Sequence, residues 1–519
     1  MIVFGAVQRS AFIAIISVLT LFALRLRLTG FDPASLYLDD EWVGIVVRRM
    51  SYADFLRLKP PVPLGFVALE KLISGVSSDP EWPLQLVPML CGLVQVSLTA
   101  VLALAITKER SAAIVAGAFA AASPMSIELS VRVKQYALDG LIVTALLLVG
   151  APLLRRWVAG RAWAVALGAG ASSLFSFPSV FVSVPLLHLA WLRYVWSRPG
   201  RTLSAASLAA VLSLDVALAL VWATLLRGQS SPAMNQYWQS SFMPTALGPA
   251  VEFLCDRGWI AVASAFPPLL APATVLIPLG LAVMAMRPQH RALAALLALV
   301  PMQLVVASAL RLYPLGTGRT DCFAHPVFIL CAAYGFSAVT DWMRRGVRRV
   351  WEASAAESGA VLVFTAGAVV TVLAASVPAA YPVSGDAQVV RVGADLLRPG
   401  DGLIVYPHGS IGVGYYGPWP LRLTPWPAYA HNFHVVLDRP NTVTLSPYEA
   451  YWTDPFRLGA ELQAFLTGSH ARVVYIAASF VHPAVHRFIV TQLLARGYRI
   501  EQARGAGYSE VLLFVAPNG

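Results

Sequence analysis

The chain has 519 residues, of which 57% are hydrophobic and 13% charged, and its mean hydropathy is +0.66. A soluble domain cannot hide that much apolar surface, so composition excludes a soluble globular protein and indicates a polytopic membrane protein. The net charge of +11 invites a nucleic-acid partner, but from residue 383 onward ten Arg oppose nine Asp plus Glu. The excess lies in short loops between apolar runs, as membrane topology requires, so no nucleic-acid binding is expected.

Apolar runs that cross or nearly cross a bilayer lie at about 10–28, 84–106, 112–127, 135–154, 162–176, 178–196, 203–226, 262–286, 292–310, 324–342 and 360–378, eleven in all. The two at 162–176 and 178–196 are separated by little more than Phe177-Pro178. The first run follows a basic start with no small-residue cleavage site after it, and reads as an uncleaved span. With eleven spans, fifteen Lys and Arg of alternate loops fall on one side, from Arg9 and Lys108 to Arg348 and Arg349. That side is then cytoplasmic and holds the N-terminus, and residues 381–519 are extracytoplasmic. The expected architecture is an all-α membrane domain over 1–380 and a soluble α/β domain over 381–519.

The first outer loop, 29–83, carries Leu38-Asp39-Asp40-Glu41-Trp42. Carboxylates beside a membrane are costly unless they have a function or a partner. If the segment is extended, Asp39 and Asp40 face opposite ways. One then serves as a base toward an acceptor hydroxyl, and the other binds a metal, sugar hydroxyls or a backbone amide. The structural alternative is that the acids cap a helix beginning near Trp42. Farther along, Ser51-x-x-Asp54 caps a short interfacial helix that Lys59-Pro60-Pro61-Val62-Pro63 ends, and a second runs from Leu64 to Ser74.

Two more clusters fall on the same side. Arg132-x-Lys134-Gln135-Tyr136-x-x-Asp139 opens the fourth run, where a cation at headgroup depth suits a phosphate. Tyr313-Pro314-Leu315-Gly316-Thr317-Gly318-Arg319-Thr320-Asp321 brings Arg319, a bidentate phosphate donor, to that surface. The bland alternatives are an interfacial Tyr-Lys anchor and a plain tight loop. Asp215 lies within an apolar run and needs a partner. Arg25 and Arg27, at the outer end of the first span, either snorkel to headgroups or help hold an anionic lipid. Cys255 and Cys322 both fall in outer loops, where a disulfide is an option. No metal site is assigned. Were a divalent ion bound, the first-loop acids, Glu41 included, are the one dense source of oxygen ligands.

In the tail, helices at 387–397, 455–467 and 483–496 alternate with strands at 403–406, 473–477 and 511–515, which predicts a small, mostly parallel sheet. No Gly-rich phosphate loop accompanies it. Tyr415, Tyr416, Trp419 and Trp426 suit stacking on sugar rings or plain packing.

The Asp-Asp-Glu loop, the Pro-Pro segment, Leu69-Glu70-Lys71-Leu72, Glu128 with Lys134-Gln135-Tyr136-x-x-Asp139, and Tyr313-Pro through Gly318-Arg319 together resemble the integral-membrane GT-C glycosyltransferases. The resemblance covers about 30–340 and is to the family-39-like group, which includes protein O-mannosyltransferases and lipid A aminoarabinose transferases. It implies a polyprenyl-phosphate-linked sugar as donor at the outer face of a plasma membrane, and a glycan, lipid or protein acceptor. It implies inversion at the anomeric carbon, a first-loop Asp as base, and basic residues stabilising the departing phosphate. Donor-binding positions carried over are Lys134, Tyr136, Asp139, Arg319, Tyr313, Arg132 and Lys59. Counting back from Trp42 selects Asp39 as base, whereas matching the family's single Asp-Glu pair selects Asp40. The rival functions are a transporter or flippase of lipid-linked sugars and a non-catalytic scaffold.

Overall fold

The computed structural model describes residues 2–197, 204–227, 232–267, 274–351, 354–426, 432–446, 456–479 and 481–517. Seven helices are long and apolar enough to cross a membrane: Ser10–Leu28, Trp82–Thr107, Tyr136–Leu154, Phe177–Trp196, Ala205–Leu226, Arg291–Ala309 and Thr320–Val347. Shorter apolar helices, Arg110–Ala122, Leu276–Met286 and Ser358–Ala374, pack with them. The chain is a multi-pass membrane protein.

The first half runs through α1 (Ile2–Leu28), α2 (Leu38–Arg48), α3 (Tyr52–Leu58), α4 (Leu64–Ser74), α5 (Trp82–Thr107), α6 (Arg110–Ala122), α7 (Pro124–Leu129) and α8 (Tyr136–Gly150). There follow α9 (Ala159–Ser172), α10 (Val180–Trp196), α11 (Ala205–Val221), α12 (Pro232–Tyr237), α13 (Leu247–Ala263), α14 (Leu276–Met286), α15 (Arg291–Ala309), α16 (His325–Trp351) and α17 (Ser354–Ala374). The run expected at 112–127 is two helices, because Pro124 cannot continue α6 and instead starts α7. The run at 262–286 divides between α13 and α14, and residues 268–273 between them lie outside the described residues. Bundle packing is close where side chains are small. A Cβ at Gly280 would overlap the Cys331 carbonyl, and one at Gly335 the Leu276 carbonyl, so α14 and α16 touch backbone to backbone.

Polar groups inside the bundle find partners or stay orphaned. Asp215 meets His188 at 3.5 Å. Arg25 is exposed and free to snorkel, but Arg27 is fully buried. Its Nη1 donates to the Ala23 carbonyl at 3.0 Å, while Nε and Nη2 have no hydrogen-bond partner among the described residues. Snorkelling is therefore excluded for Arg27. All four cysteines are free thiols, and the buried Cys322 donates to the Tyr136 carbonyl, so the Cys255–Cys322 bridge is absent.

The tail adds α18 (Asp386–Leu396), α19 (Gly409–Tyr416), α20 (Arg457–Leu466), α21 (Pro483–Ala495), β1 (Gly402–Val405), β2 (Leu421–Pro425), β3 (Phe433–Leu437), β4 (Thr442–Thr444), β5 (Arg472–Ala477), β6 (Arg499–Ala506) and β7 (Ser509–Val515). The main sheet has the order β4-β1-β5-β7-β6, and β2 pairs with β3 separately. Only β1–β4 and β1–β5 are parallel. The expected mostly parallel sheet is thus mixed. Its other half is a hairpin, β6–β7, turned by Gly507 at φ +56, and a two-residue loop permits only antiparallel pairing. The β6 side chains are exposed almost throughout, so the strand lacks the alternation that would have marked it.

The tail rests on the first loop. Leu36, Trp42 and Ile45 share one apolar cluster with Ile411, Tyr415, Phe433 and Val435. Each such large side chain contributes roughly 1.5–3 kcal/mol on full burial. Polar ties accompany it: the Leu36 N–H donates to the Tyr416 hydroxyl at 2.6 Å, and the Asn432 amide to the Lys59 carbonyl at 2.8 Å. Glu81 lies in this interface. Burial, then Asp79, push its carboxyl up from 4.5 to about 7. The folded protein thus keeps a proton there that the unfolded chain releases, so stability falls as pH rises from about 4.5 to about 7. Melting curves across that window are expected to flatten in Glu81→Gln relative to wild type. Parallel curves for the two proteins would refute the assignment.

Candidate active site

The first-loop acids are helical, not extended. Tyr37 is extended (φ −92, ψ 152) and its carbonyl accepts from the Asp40 and Glu41 amides, so α2 begins at Leu38. All three acids therefore fill the first turn, where the positive end of the helix dipole favours them. Successive side chains are rotated by about 100°, and each acid meets a different environment.

Asp40 points into the protein and is fully buried. It accepts from Arg132 Nε at 2.6 Å, the Val133 amide at 2.9 Å and the Tyr381 hydroxyl at 2.5 Å. Glu41, also fully buried, turns to the tail, where Ser479 Oγ donates to it at 3.2 Å. Burial, then the neighbouring Asp386, hold its pKa well above the usual carboxylate range. Asp386 is itself held by the Ser479 amide at 2.7 Å and the Ser479 hydroxyl at 2.6 Å.

Asp39 faces a cleft of ≈ 180 Å³, along with Glu128, Arg132, Lys134, Tyr136 and Arg319. Asp39 Oδ2 accepts from Arg319 Nη1 at 3.0 Å. Arg319 also donates to the Tyr237 hydroxyl at 2.8 Å and stacks on Trp238 at 5.0 Å. The loop that carries it is self-braced. Gly316 and Gly318 adopt φ +71 and +76, Asp321 accepts from the Thr317 and Gly318 amides at 2.8 and 3.2 Å, and Tyr313 donates to the Thr320 carbonyl at 2.9 Å. A side chain at Gly316 would be strained and would strike Arg257.

The opposite wall is the turn between α7 and α8. Arg132 is sandwiched by Tyr37 and Tyr381 at 5.4 and 5.7 Å. Burial opposes its charge, but Asp40, Tyr381 and Asp39 outweigh that and keep it cationic. Lys134 lies 4.9 Å over Trp42, and burial lowers its pKa against the pull of Asp39 and Asp40. Three cations thus surround a cleft whose acids are Asp39 and Glu128.

Other expected site residues lie elsewhere. Asp139 is buried one turn inside α8 and does not line the cleft. Tyr313 packs with Phe181 and Phe323 and shapes the arginine loop from behind. Lys59, at φ +47, donates to the Arg227 carbonyl at 3.1 Å, away from the cleft. Tyr37, Tyr237, Trp238 and Tyr381 brace the site without having been anticipated. Tyr237 is 82 residues from Arg319, and nothing local marks it.

A hard divalent ion takes about six or more oxygen ligands. Asp40 and Glu41 turn away from Asp39, and no group of three His, Cys, Asp or Glu among the described residues is placed to hold a metal. The donor set does not fit such an ion at Asp39.

No family model matches the chain, and no curated protein matches its sequence. Among solved structures it is similar to ArnT from Cupriavidus metallidurans in the apo state, with TM-score 0.54 and 13% identity over 98% of both chains. It is similar to the same protein bound to undecaprenyl phosphate, with TM-score 0.53 and 13% identity over 98% of both chains. Arabinofuranosyltransferase AftD from Mycobacteria aligns with TM-score 0.49 and 15% identity, over 96% of this chain and 41% of that one. From the first span to the last strand, the chain has the GT-C fold that it shares with ArnT.

Proposed function

We propose that the protein is an inverting glycosyltransferase that moves a sugar from a polyprenyl-phosphate donor to an acceptor hydroxyl at the outer face of the plasma membrane. The observation that carries this reading is the Asp39 carboxylate, set in a cleft with Arg132, Lys134 and Arg319. ArnT, which has the same fold, binds undecaprenyl phosphate. The acceptor is a glycan, lipid or protein of the cell envelope, and the tail over 381–519 is extracytoplasmic.

In this mechanism Asp39 takes the proton of the acceptor hydroxyl as its oxygen attacks the anomeric carbon. The bond from that carbon to the donor phosphate oxygen breaks, and the polyprenyl phosphate leaves with the electron pair. Arg319 and Lys134 stabilise its charge. Asp39 is paired with Arg319. An entering phosphate competes for the guanidinium and frees the carboxylate. Asp40 acts through Arg132 and the Val133 amide, fixing the wall of the cleft, and is a positioning residue.

The test incubates purified protein with a panel of polyprenyl-phosphate sugars and measures released polyprenyl phosphate. Turnover of one donor, lost in Asp39→Asn, supports the reading. No turnover with any donor, combined with flipping of labelled lipid in vesicles, moves the assignment to transport. In the same assay Arg319→Ala is expected to raise the donor KM at least about tenfold, the scale of one charge-assisted phosphate contact. Arg319→Lys recovers only part of it, because the bidentate fork is lost. Full activity in Arg319→Ala would remove that residue from the donor site.

A further inference from the structure

A second cavity, ≈ 160 Å³, lies between the far ends of α5 and α8 and the start of α15. Tyr136 lines the cleft and Leu147, eleven residues on in α8, is the first residue of that helix to line this cavity, about 16 Å away at 1.5 Å per residue. Its walls are aliphatic, with Ile106, Leu148, Leu154 and Leu293 among them, and Lys108 and Arg155 also line it. Beside it on the same helices, Val101 and Val149 are exposed, which marks the lipid-facing surface. Aliphatic cavities of this size stay dry and accept apolar guests.

The charge around it is unbalanced. Glu109 is taken by Arg344 at 3.0 and 2.9 Å, and Asp341 by Arg287 and Arg344 at 3.4 and 3.2 Å. Neither Lys108 nor Arg155 meets a carboxylate among the described residues. Arg155 donates instead to His290 Nε2 at 3.0 Å, and His290 Nδ1 faces the Tyr334 hydroxyl. Burial, with Arg155, Arg287 and Lys108 nearby, holds His290 down to about 4, so the imidazole is neutral and adds no charge. Two cations at the mouth of an apolar slot, level with the headgroups, complement an anionic amphiphile.

We propose that this cavity binds an anionic glycerophospholipid of the leaflet opposite the cleft, with an acyl chain in the aliphatic slot and the phosphate between Lys108 and Arg155. The site is separate from the donor cleft and serves to anchor the bundle at that face.

The test is native mass spectrometry of the full-length protein released from nanodiscs of phosphatidylglycerol and phosphatidylcholine. Wild type is expected to retain phosphatidylglycerol in preference to phosphatidylcholine. Lys108→Gln/Arg155→Gln is expected to weaken that retention about thirty-fold, as removal of two interfacial cations implies. Ala105→Trp keeps both charges but fills the slot, and is expected to lose the lipid too, so the proposal stays testable if the double variant misfolds. Arg156→Gln, a neighbouring exposed charge, is expected to change nothing. Equal retention of both lipids, unchanged retention in the variants, or equal loss in Arg156→Gln would overturn the site. So would added polyprenyl phosphate displacing phosphatidylglycerol from wild type.

Discussion

Asp39→Asn is expected to lower transfer by about 10²–10⁴-fold, the usual contribution of a positioned general base, and to leave the melting temperature nearly unchanged. The side chain is 22% exposed and pairs with Arg319, itself 28% exposed. A pair of that exposure contributes about 1 kcal/mol or less to stability. The amide keeps the shape and a hydrogen-bonding oxygen but cannot take a proton at neutral pH. Turnover and thermal unfolding measured on one preparation separate the two effects. A fully active Asp39→Asn would show that the base lies elsewhere.

Asp40→Ala should fail in a different way, through stability. It removes the carboxylate that meets Arg132 at 2.6 Å, the Val133 amide at 2.9 Å and the Tyr381 hydroxyl at 2.5 Å. Breaking a buried pair leaves a charge without compensation and costs about 3–5 kcal/mol. Expected results are a lowered melting temperature, poor yield and activity lost in proportion to folded protein. Asp40→Asn, which retains one acceptor, should be milder. A stable but inactive Asp40→Asn beside an active Asp39→Asn would reverse the two roles.

The triplet also marks how far the sequence could be read. Its position after the first span, the cationic turn at 132–134 and the Gly-rich loop before Arg319 are local features, and they converge on one cleft. The phase of the acids was not legible. An extended strand and a helix place Asp40 and Glu41 differently, and the choice depends on burial of Trp42, Val43 and Ile45 against partners nearly 400 residues away. Asp139 and Tyr313 were read as ligand contacts because they follow the motif, yet packing holds both behind the site. The paired tail strands β2 and β3 gave no signal because their side chains answer to the first loop as much as to each other. The long apolar runs were legible because bilayer thickness dictates their length.

The tie between tail and first loop bears on how such proteins can be recombined. Glu41 is met by Ser479, Leu36 by Tyr416, Lys59 by Asn432, and Trp42 stacks on Phe433 at 6.0 Å. A chimera that grafts a foreign tail onto these spans would leave a buried acid, two residues from Asp39, and an apolar platform facing the wrong surface. Residues 29–83 and 381–517 are accordingly one module interrupted by a membrane bundle, and a transplant that moves them together has the better chance of folding.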